Sequence, residues 1–366
     1  MMIRTGDIKG SYIDYSNVKY IDESFHTKNV KSQLKCGDIL IARHGSSGHG
    51  VIFDSNKPAN ALNIVILRTD EKLLLSRYLV QLLDSPGIQK QVAEASAGST
   101  QNVINTSQIA KLLISIPELS EQKEVVNVCE ALDSLIETLE RQIFKKKAIK
   151  QGTMQELLTG KKRLPGFSGT WIHTRIGAMT EVYSGGTPNT AEPSFWGGTI
   201  PWMNSGELNL KIVRHVEGRI TKAGMDSSST HYIPAECILI GLAGQGKTRG
   251  TAAFNTFSLC TNQSIAAIYP NPDLFDSKFM YYMMDTQYEK LRELSSGDGG
   301  RGGLNKKLIL DYEVIIPQNV REQAAIAEVL TEMDNEIENL EEKLAKYRQL
   351  KQGMMQQLLT GKIRLM

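Results

Sequence analysis

The sequence predicts an α+β protein with an internal pseudo-twofold repeat: two globular units, each a small mixed β-sheet with short helices, separated by two long antiparallel helices forming a coiled-coil spacer. Three observations carry this. The stretch Gln151-Gly152-Thr153-Met154-Gln155-Glu156-Leu157-Leu158-Thr159-Gly160-Lys161 recurs as Gln352-Gly353-Met354-Met355-Gln356-Gln357-Leu358-Leu359-Thr360-Gly361-Lys362, an offset of 201 residues. Self-similarity at a fixed offset means that one supersecondary plan was built twice. Upstream, Ile116-Pro117 followed by Glu121-Gln122 returns as Ile316-Pro317 followed by Glu322-Gln323. Between these landmarks Ile326, Leu330, Met333, Ile337, Leu340, Leu344, Tyr347, Met354 and Leu358 fall at alternating steps of four and three, interrupted only by Lys351, which is a coiled-coil seam.

In the first copy the seam runs through Val125, Cys129, Leu132, Ile136, Leu139 and Ile143 and then turns polar at Lys146, Lys150 and Thr153. A helix from about residue 120 to about residue 159 would be roughly 60 Å long at 1.5 Å per residue. It cannot bury its stripe alone, so the other copy is its natural partner. A whole globular segment separates the two helices, so no hairpin loop fixes their direction, and we expect an antiparallel pair. The alternative is that each helix lies on its own globular half. Gly152 and Gly353 sit mid-pattern, where each costs about 1 kcal/mol relative to Ala. Their presence in both copies suggests close backbone approach, a local break being equally allowed.

The boundaries follow: a first globular domain at 1-117 apparently lacking its N-terminal segment, a long helix at 118-162, a second globular domain at 163-317 and a second long helix at 318-366. With 366 residues, 41% hydrophobic and 22% charged, the chain has room for two or more cores. No apolar run is long enough to span a membrane and no secretory leader pattern is present, so a cytoplasmic protein is expected. Cys36, Cys129, Cys237 and Cys260 lie far apart, which suits neither a zinc site nor a disulfide framework. The net charge of +2 is not that of a protein that binds nucleic acid by bulk electrostatics, and no part is a basic domain. Any DNA contact must come from local clusters.

Within the first half, Met1 to Ile8 reads as a strand end and turn, and Gly37-Asp38-Ile39-Leu40-Ile41-Ala42-Arg43 as a turn feeding a buried strand. The stretch 45–50 is a glycine-rich loop, 61–67 an apolar strand, 73–83 a helix and 96–102 a polar loop. A last strand, 112–116, leads to Pro117. His44 and His49 could touch phosphate or base edges, or join Cys36 at a metal, but their spacing fits no standard ligand pattern; no metal is expected. In the second half, Cys237-Ile238-Leu239-Ile240 answers Asp38-Ile39-Leu40-Ile41, and the stretch from Ser296 to Asn305 answers that from Ser96 to Asn105. About thirty residues around Trp171 to Pro201 have no counterpart before Met1.

Gly241-Leu242-Ala243-Gly244-Gln245-Gly246-Lys247-Thr248 satisfies the G-x-x-x-x-G-K-[ST] pattern after the strand Ile238-Leu239-Ile240. A nucleotide site needs a helix immediately after it, whereas Arg249-Gly250-Thr251-Ala252-Ala253-Phe254-Asn255 is rich in turn and strand formers. The better reading is a glycine-rich loop presenting Gln245, Lys247, Thr248 and Arg249 to a polyanion, with Arg301 and Asn305 on a neighbouring loop; solvated surface loops are the plainer alternative. No catalytic residues emerge: there is no nucleophile elbow, no His-Glu-x-x-His, and Asn271-Pro272-Asp273 does not supply a base-modifying motif.

Gly185-Gly186-Thr187-Pro188, the Ile-Pro and Glu-Gln pairs before each long helix, the Leu-Leu-Thr-Gly-Lys ends and the duplicated half together resemble the specificity subunit of a type I restriction-modification system. The resemblance covers essentially the whole chain. It implies that each globular unit is a target recognition domain reading one half of a split, asymmetric site in double-stranded DNA, and that the helices set the gap. It further implies docking of two methyltransferase subunits, which use S-adenosylmethionine, and of restriction subunits with ATP-driven translocation and magnesium; this chain itself would be no enzyme and bind no cofactor. Base edges are read by Arg, Lys, Asn, Gln, Ser and Thr, with backbone amides on phosphate. The candidate DNA contacts are Arg4, Thr5, Arg43, Ser46, His49, Gln101 and Asn102 in the first unit. In the second they are Gly185, Gly186, Thr187, Asn204, Ser205, Gln245, Lys247, Arg249, Arg301, Asn305 and Lys306. The shortened start of the first unit leaves open an incomplete reader, a strand supplied by a second chain, or a trimmed version of a longer protein. The alternatives in other classes are a coiled-coil scaffold with protein-binding ends and a nucleotide hydrolase using Lys247.

Overall fold

The computed structural model describes residues 1–43, 48–96, 105–244, 246–294 and 303–365. Contacts divide the chain into two compact units, one formed by Met1–Ile143 with Asn339–Met366 and the other by Phe144–Glu338. The division falls inside both long helices. Each unit is therefore a globular part closed by the start of one long helix and the end of the other.

In the first unit the chain runs through β1 (Met2–Arg4), β2 (Ile8–Lys9), β3 (Tyr12–Ile13), α1 (Glu23–Lys28), β4 (Ile39–Ala42), β5 (Gly50–Ile52), β6 (Asn60–Leu62) and β7 (Ile64–Leu67). The helices α2 (Ser76–Leu83), α3 (Pro86–Ser96) and α4 (Thr106–Ile109) follow, and then α5 (Leu119–Leu157). The central sheet has the order β5-β4-β7, and β1 pairs parallel with β6. All four residues of β4 are buried, as a continuous apolar run flanked on both edges should be. Alternation along a strand sends neighbours to opposite faces. Ile39 and Ile41 accordingly meet Tyr78, Leu79, Leu82 and Leu83 of α2, Val125, Val126 and Cys129 of α5, and Met355, Leu358 and Leu359. Leu40 faces the other way, onto Ile3, Val51, Phe53 and Ile64.

The second unit repeats and extends this plan. It contains β8 (Trp171–Arg175), α6 (Ile176–Met179), β9 (Val182–Ser184), β10 (Trp196–Met203), β11 (Ile212–Val213), β12 (Arg219–Ile220) and α7 (Lys222–Asp226). Then come β13 (Ile238–Gly241), β14 (Ala252–Asn255), β15 (Cys260–Thr261), β16 (Ile265–Ile268), α8 (Ser277–Asp285), α9 (Tyr288–Leu294), α10 (Lys306–Leu310), β17 (Glu313–Pro317) and α11 (Val320–Leu358). Its central sheet has the order β11-β14-β13-β16-β9, flanked by β12-β10-β15 and by the pair β17-β8. The parallel pairing Met2↔Asn60 and Ile3↔Ala61 returns as Trp202↔Cys260 and Met203↔Thr261. Ile238 and Ile240 face α8, the start of α11 and the end of α5, as Ile39 and Ile41 do in the first unit. The segment 171–184 has no equivalent among the described residues of the first unit.

Both long helices have 39 residues and are uninterrupted. In the first unit Leu139, Ile143 and Leu344 form a buried cluster with Leu135, Ile136, Leu340 and Tyr347 around it. Ion pairs link Glu140 to Arg348 at 2.5 Å, Asp133 to Lys351 at 2.5 Å and Glu121 to Arg364 at 2.7 Å. As the residue number falls on one partner it rises on the other, so these stretches run antiparallel. The second unit shows the same sense in Lys146–Glu336 at 2.6 Å, Lys150–Asp334 at 2.5 Å and Arg163–Glu322 at 2.5 Å. The polar breaks in the seam at Lys146, Lys150 and Lys351 are thus the cationic halves of pairs between helices.

The seam itself divides in function. Val125 and Cys129 lie in the first globular core, Ile326 and Leu330 in the second with Met333 beside them, while Leu139, Ile143, Leu340, Leu344 and Tyr347 meet helix to helix. Leu132 is half-buried and Ile337 buried. Both readings of the long helix hold, one for each part of its length. The expectation for Gly152 and Gly353 is corrected: a Cβ at either would meet nothing within 4 Å, and neither helix breaks there. No helix among the described residues is long and apolar enough to cross a membrane.

Candidate nucleic-acid interface

In the second unit four segments meet at one surface. The β13–β14 loop is tied to the turn before β16 by the Leu242 N–H donating to the Ser264 carbonyl at 2.8 Å. Thr187 Oγ1 donates to Gln263 Oε1 of that turn at 2.5 Å. Gly303, leading into α10, approaches the Leu242 carbonyl closely enough that a Cβ would lie 3.4 Å from it. Lys306 at the start of α10 holds its ammonium 5.1 Å from the centre of the Tyr183 ring, a cation–π contact that fixes the charge beside β9. Tyr183 is itself bonded to the Glu181 carboxylate, which raises its phenol above the ordinary value.

The β13–β14 loop is a hairpin, not a phosphate loop. The Gly241 N–H donates to the Thr251 carbonyl at 3.0 Å and the Gly250 N–H returns to the Gly241 carbonyl at 2.9 Å. A Cβ on Gly241 would lie 2.2 Å from the Thr248 carbonyl oxygen, so the glycine serves this tight closure. Strand β14 begins at Ala252 where nucleotide binding needs a helix, which overturns the nucleotide-hydrolase alternative. Helix α9 braces the loop: Arg292 Nη1 donates to the Gly246 carbonyl at 2.7 Å and to Tyr288 Oη at 3.0 Å. Arg249 Nε donates to the Gly244 carbonyl at 3.3 Å, and Lys247 stays exposed.

The remaining second-unit candidates differ in kind. Gly185 and Gly186 are buried, and a Cβ on them would lie 2.0 Å from the Thr261 carbonyl oxygen and 2.4 Å from Ser229 Oγ. The Trp202 indole donates to the Gly186 carbonyl at 3.0 Å. These glycines let two backbones touch, which leaves Thr187 as the outward member of that motif. Asn204 caps the short 3-10 turn Ser205–Leu210, accepting from the Gly206 N–H at 2.8 Å, with Ser205 half-buried behind it. Asn305 caps α10 through the Leu308 N–H at 3.0 Å and remains exposed.

In the first unit Thr5 and Arg43 are brought together by Asn63. Thr5 Oγ1 and the Arg43 N–H both donate to its carbonyl, at 2.9 and 3.2 Å. Asn63 has φ of 57°, a left-handed turn that Asn tolerates. The Arg43 side chain places Nε where no hydrogen-bond partner meets it. Arg4 is committed inward: its guanidinium grips the buried Asp7 carboxylate at 2.8 and 3.1 Å, which raises its own pKa. His49 Nδ1 lies 2.7 Å from Asp84 Oδ1, away from Cys36 chemistry. Ser46, Gln101, Asn102, Gln245 and Arg301, with His44, lie outside the described residues. Asn63, Gln263 and Arg292, which build these surfaces, carry no sequence signal of their own: each acts through a backbone carbonyl or a single side chain distant in the chain.

Residues 2–148 and 169–347 match the type I restriction modification DNA specificity domain family. The chain is 25% identical to the putative type I restriction enzyme MjaX specificity subunit of Methanocaldococcus jannaschii, over 99% of this chain and 86% of that one. It is also 25% identical to the type I restriction enzyme EcoR124I/EcoR124II specificity subunit of Escherichia coli, over 89% and 80%. In fold it is similar to the crystal structure of a type I restriction-modification S subunit from M. genitalium, with a TM-score of 0.62, 15% identity and coverage of 88% and 83%. Two matched segments and two units of repeated plan lead to one conclusion: the chain belongs to the type I restriction-modification DNA specificity family.

Proposed function

We propose that this chain reads a bipartite, asymmetric site in double-stranded DNA, one half with each globular unit, as the specificity subunit of a cytoplasmic type I restriction-modification complex. The observation that carries this is the duplicated closure of the two units. Glu121–Arg364 and Asp133–Lys351 of the first correspond, at an offset of 201, to Glu322–Arg163 and Asp334–Lys150 of the second. Two readers closed by the same pair of helices suit a pseudo-twofold arrangement in which the helices act as a coiled-coil spacer between half-sites. A spacer of fixed length makes the gap between half-sites a geometric constant, as in other two-module readers. Two methyltransferase subunits would dock on the helices and supply S-adenosylmethionine-dependent adenine methylation. Restriction subunits would bring ATP-driven translocation with magnesium.

On the second unit, Lys247, Lys306, Asn305 and Thr187 are the groups placed to reach DNA, with Lys247 and Lys306 on phosphate and the neutral groups on base edges. Sequencing for methyladenine in DNA from cells that express this chain with its methyltransferase subunit tests the reading. We expect a two-part asymmetric motif with a fixed gap, and loss or relaxation of one half only in Lys247→Ala. Equal loss at both halves, or no motif, counts against it.

A further inference from the structure

The second unit holds an internal segment in a slot that the first unit leaves open. In the second unit β9 pairs with the outer edge of β16 and β8 pairs with β17 through five residues. Between them α6 plugs the core: Ile176, Met179 and Val182 are 0%, 7% and 0% exposed, among Met280, Met284, Ile309, Val314 and Ile316. The Ile176 N–H donates to the Tyr312 carbonyl at 3.1 Å, and Asn271 Nδ2 to the Met179 carbonyl at 2.7 Å.

In the first unit the corresponding positions are bare. Strand β7 pairs only with β4 among the described residues, so its other edge is free. The stretch 112–116, which answers β17, forms no strand. Ile116 is 42% exposed where its counterpart Ile316 is 1%, and Leu113 is 82% exposed. The Gln91 amide meets both backbone groups of Leu113, at 2.9 and 3.0 Å, as a strand partner would. Between these two edges lies a cavity of about 370 Å³ whose lining includes Leu67, Leu79, Leu83, Ile109, Leu112 and Ile114. Apolar side chains answer apolar side chains between the two slots.

We propose that this slot is a docking site for another polypeptide chain, which adds a strand to β7, one helical turn with apolar residues spaced as Ile176, Met179 and Val182 are, and a strand to 114–116. Unpaired edges flanking an apolar cavity are what strand addition uses: main-chain hydrogen bonds give affinity and the pocket gives selectivity. A second copy of this chain is not the donor, because withdrawing 171–184 would uncover its own core to the same extent.

The test mixes the full chain with a labelled synthetic peptide of residues 169–186, and follows binding by fluorescence anisotropy and amide hydrogen exchange. We expect saturable one-to-one binding and slowed exchange at 64–67 and 113–116, with 265–268 and 313–317 unchanged. A peptide carrying Ile176→Asp and Val182→Asp should bind at least about tenfold more weakly, since each carboxylate would be buried without a partner. No binding of the parent peptide, equal binding of the doubly substituted one, or protection confined to the second unit overturns the proposal. The readout involves no DNA, so it stands or falls apart from sequence reading.

Discussion

Two buried polar residues at the start of each long helix hold more of the structure than any apolar one. Gln122 is 0% exposed; its Oε1 accepts from the Leu75 N–H ahead of α2 at 2.9 Å, and its Nε2 donates to the carbonyls of Leu73 and Pro117 at 2.9 and 2.8 Å. Gln323 does the same for Asp276 and Pro317. A buried amide with every group satisfied fixes one geometry, whereas an unsatisfied one is costly. The preceding glutamates anchor the arginines that follow each Leu-Leu-Thr-Gly-Lys end. The Arg364 guanidinium holds the Glu121 carboxyl below its ordinary value, and Glu121 in turn raises Arg364. Because the folded value lies below the unfolded one, the stabilisation is complete above the usual carboxylate range and is lost as pH falls through the folded value. Arg364→Gln should therefore flatten the acid limb of the first unit's stability, followed by hydrogen exchange from about pH 6 to about pH 3. Asp14 and Asp22, held low by Ser16 and by the Phe25 N–H, keep part of that limb. An unchanged limb would show that the pair contributes nothing. The Glu-Gln landmark was legible in the sequence, but its purpose was not, since the partners lie 47 and 243 residues away.

At the scale of elements, the heptad pattern located both long helices because a stripe of that length has few other solutions. What it did not show was the change of partner along the stripe, since Val125 and Leu139 are equally apolar yet one faces a sheet and the other a helix. Local motifs misled where tertiary contacts decide. Gly185 and Gly186 read as phosphate contacts and are instead points where backbones cross, and Gly241 to Thr248 imitates a nucleotide loop because a tight hairpin needs glycine as well. Gly152 and Gly353 remain without a contact that requires them. Replacing either with Ala should stabilise the chain by about 1 kcal/mol in urea denaturation, the ordinary helix-propensity gain. Destabilisation would mean that the backbone needs the glycine there.

At the scale of the molecule, duplication was the most legible property, because matching landmarks survive where individual contacts cannot be inferred. The sequence also marked 171–201 as unmatched, although the open edges on β7 and 114–116 emerge only from strand pairing. The division of the units has an effect on how damage propagates. The second unit is one continuous stretch, whereas the first needs residues from both ends of the chain. A premature stop after Glu338 would remove Met355, Leu358, Leu359 and Arg364 from the first unit while sparing the second. Limited proteolysis of that truncated protein should release fragments from 1–117 and leave 163–317 resistant. Equal resistance of both would show that the distant helix end is dispensable. A lesion at the C-terminus would thus be felt first at the N-terminus: the last residues to be translated act as the lock on the first ones.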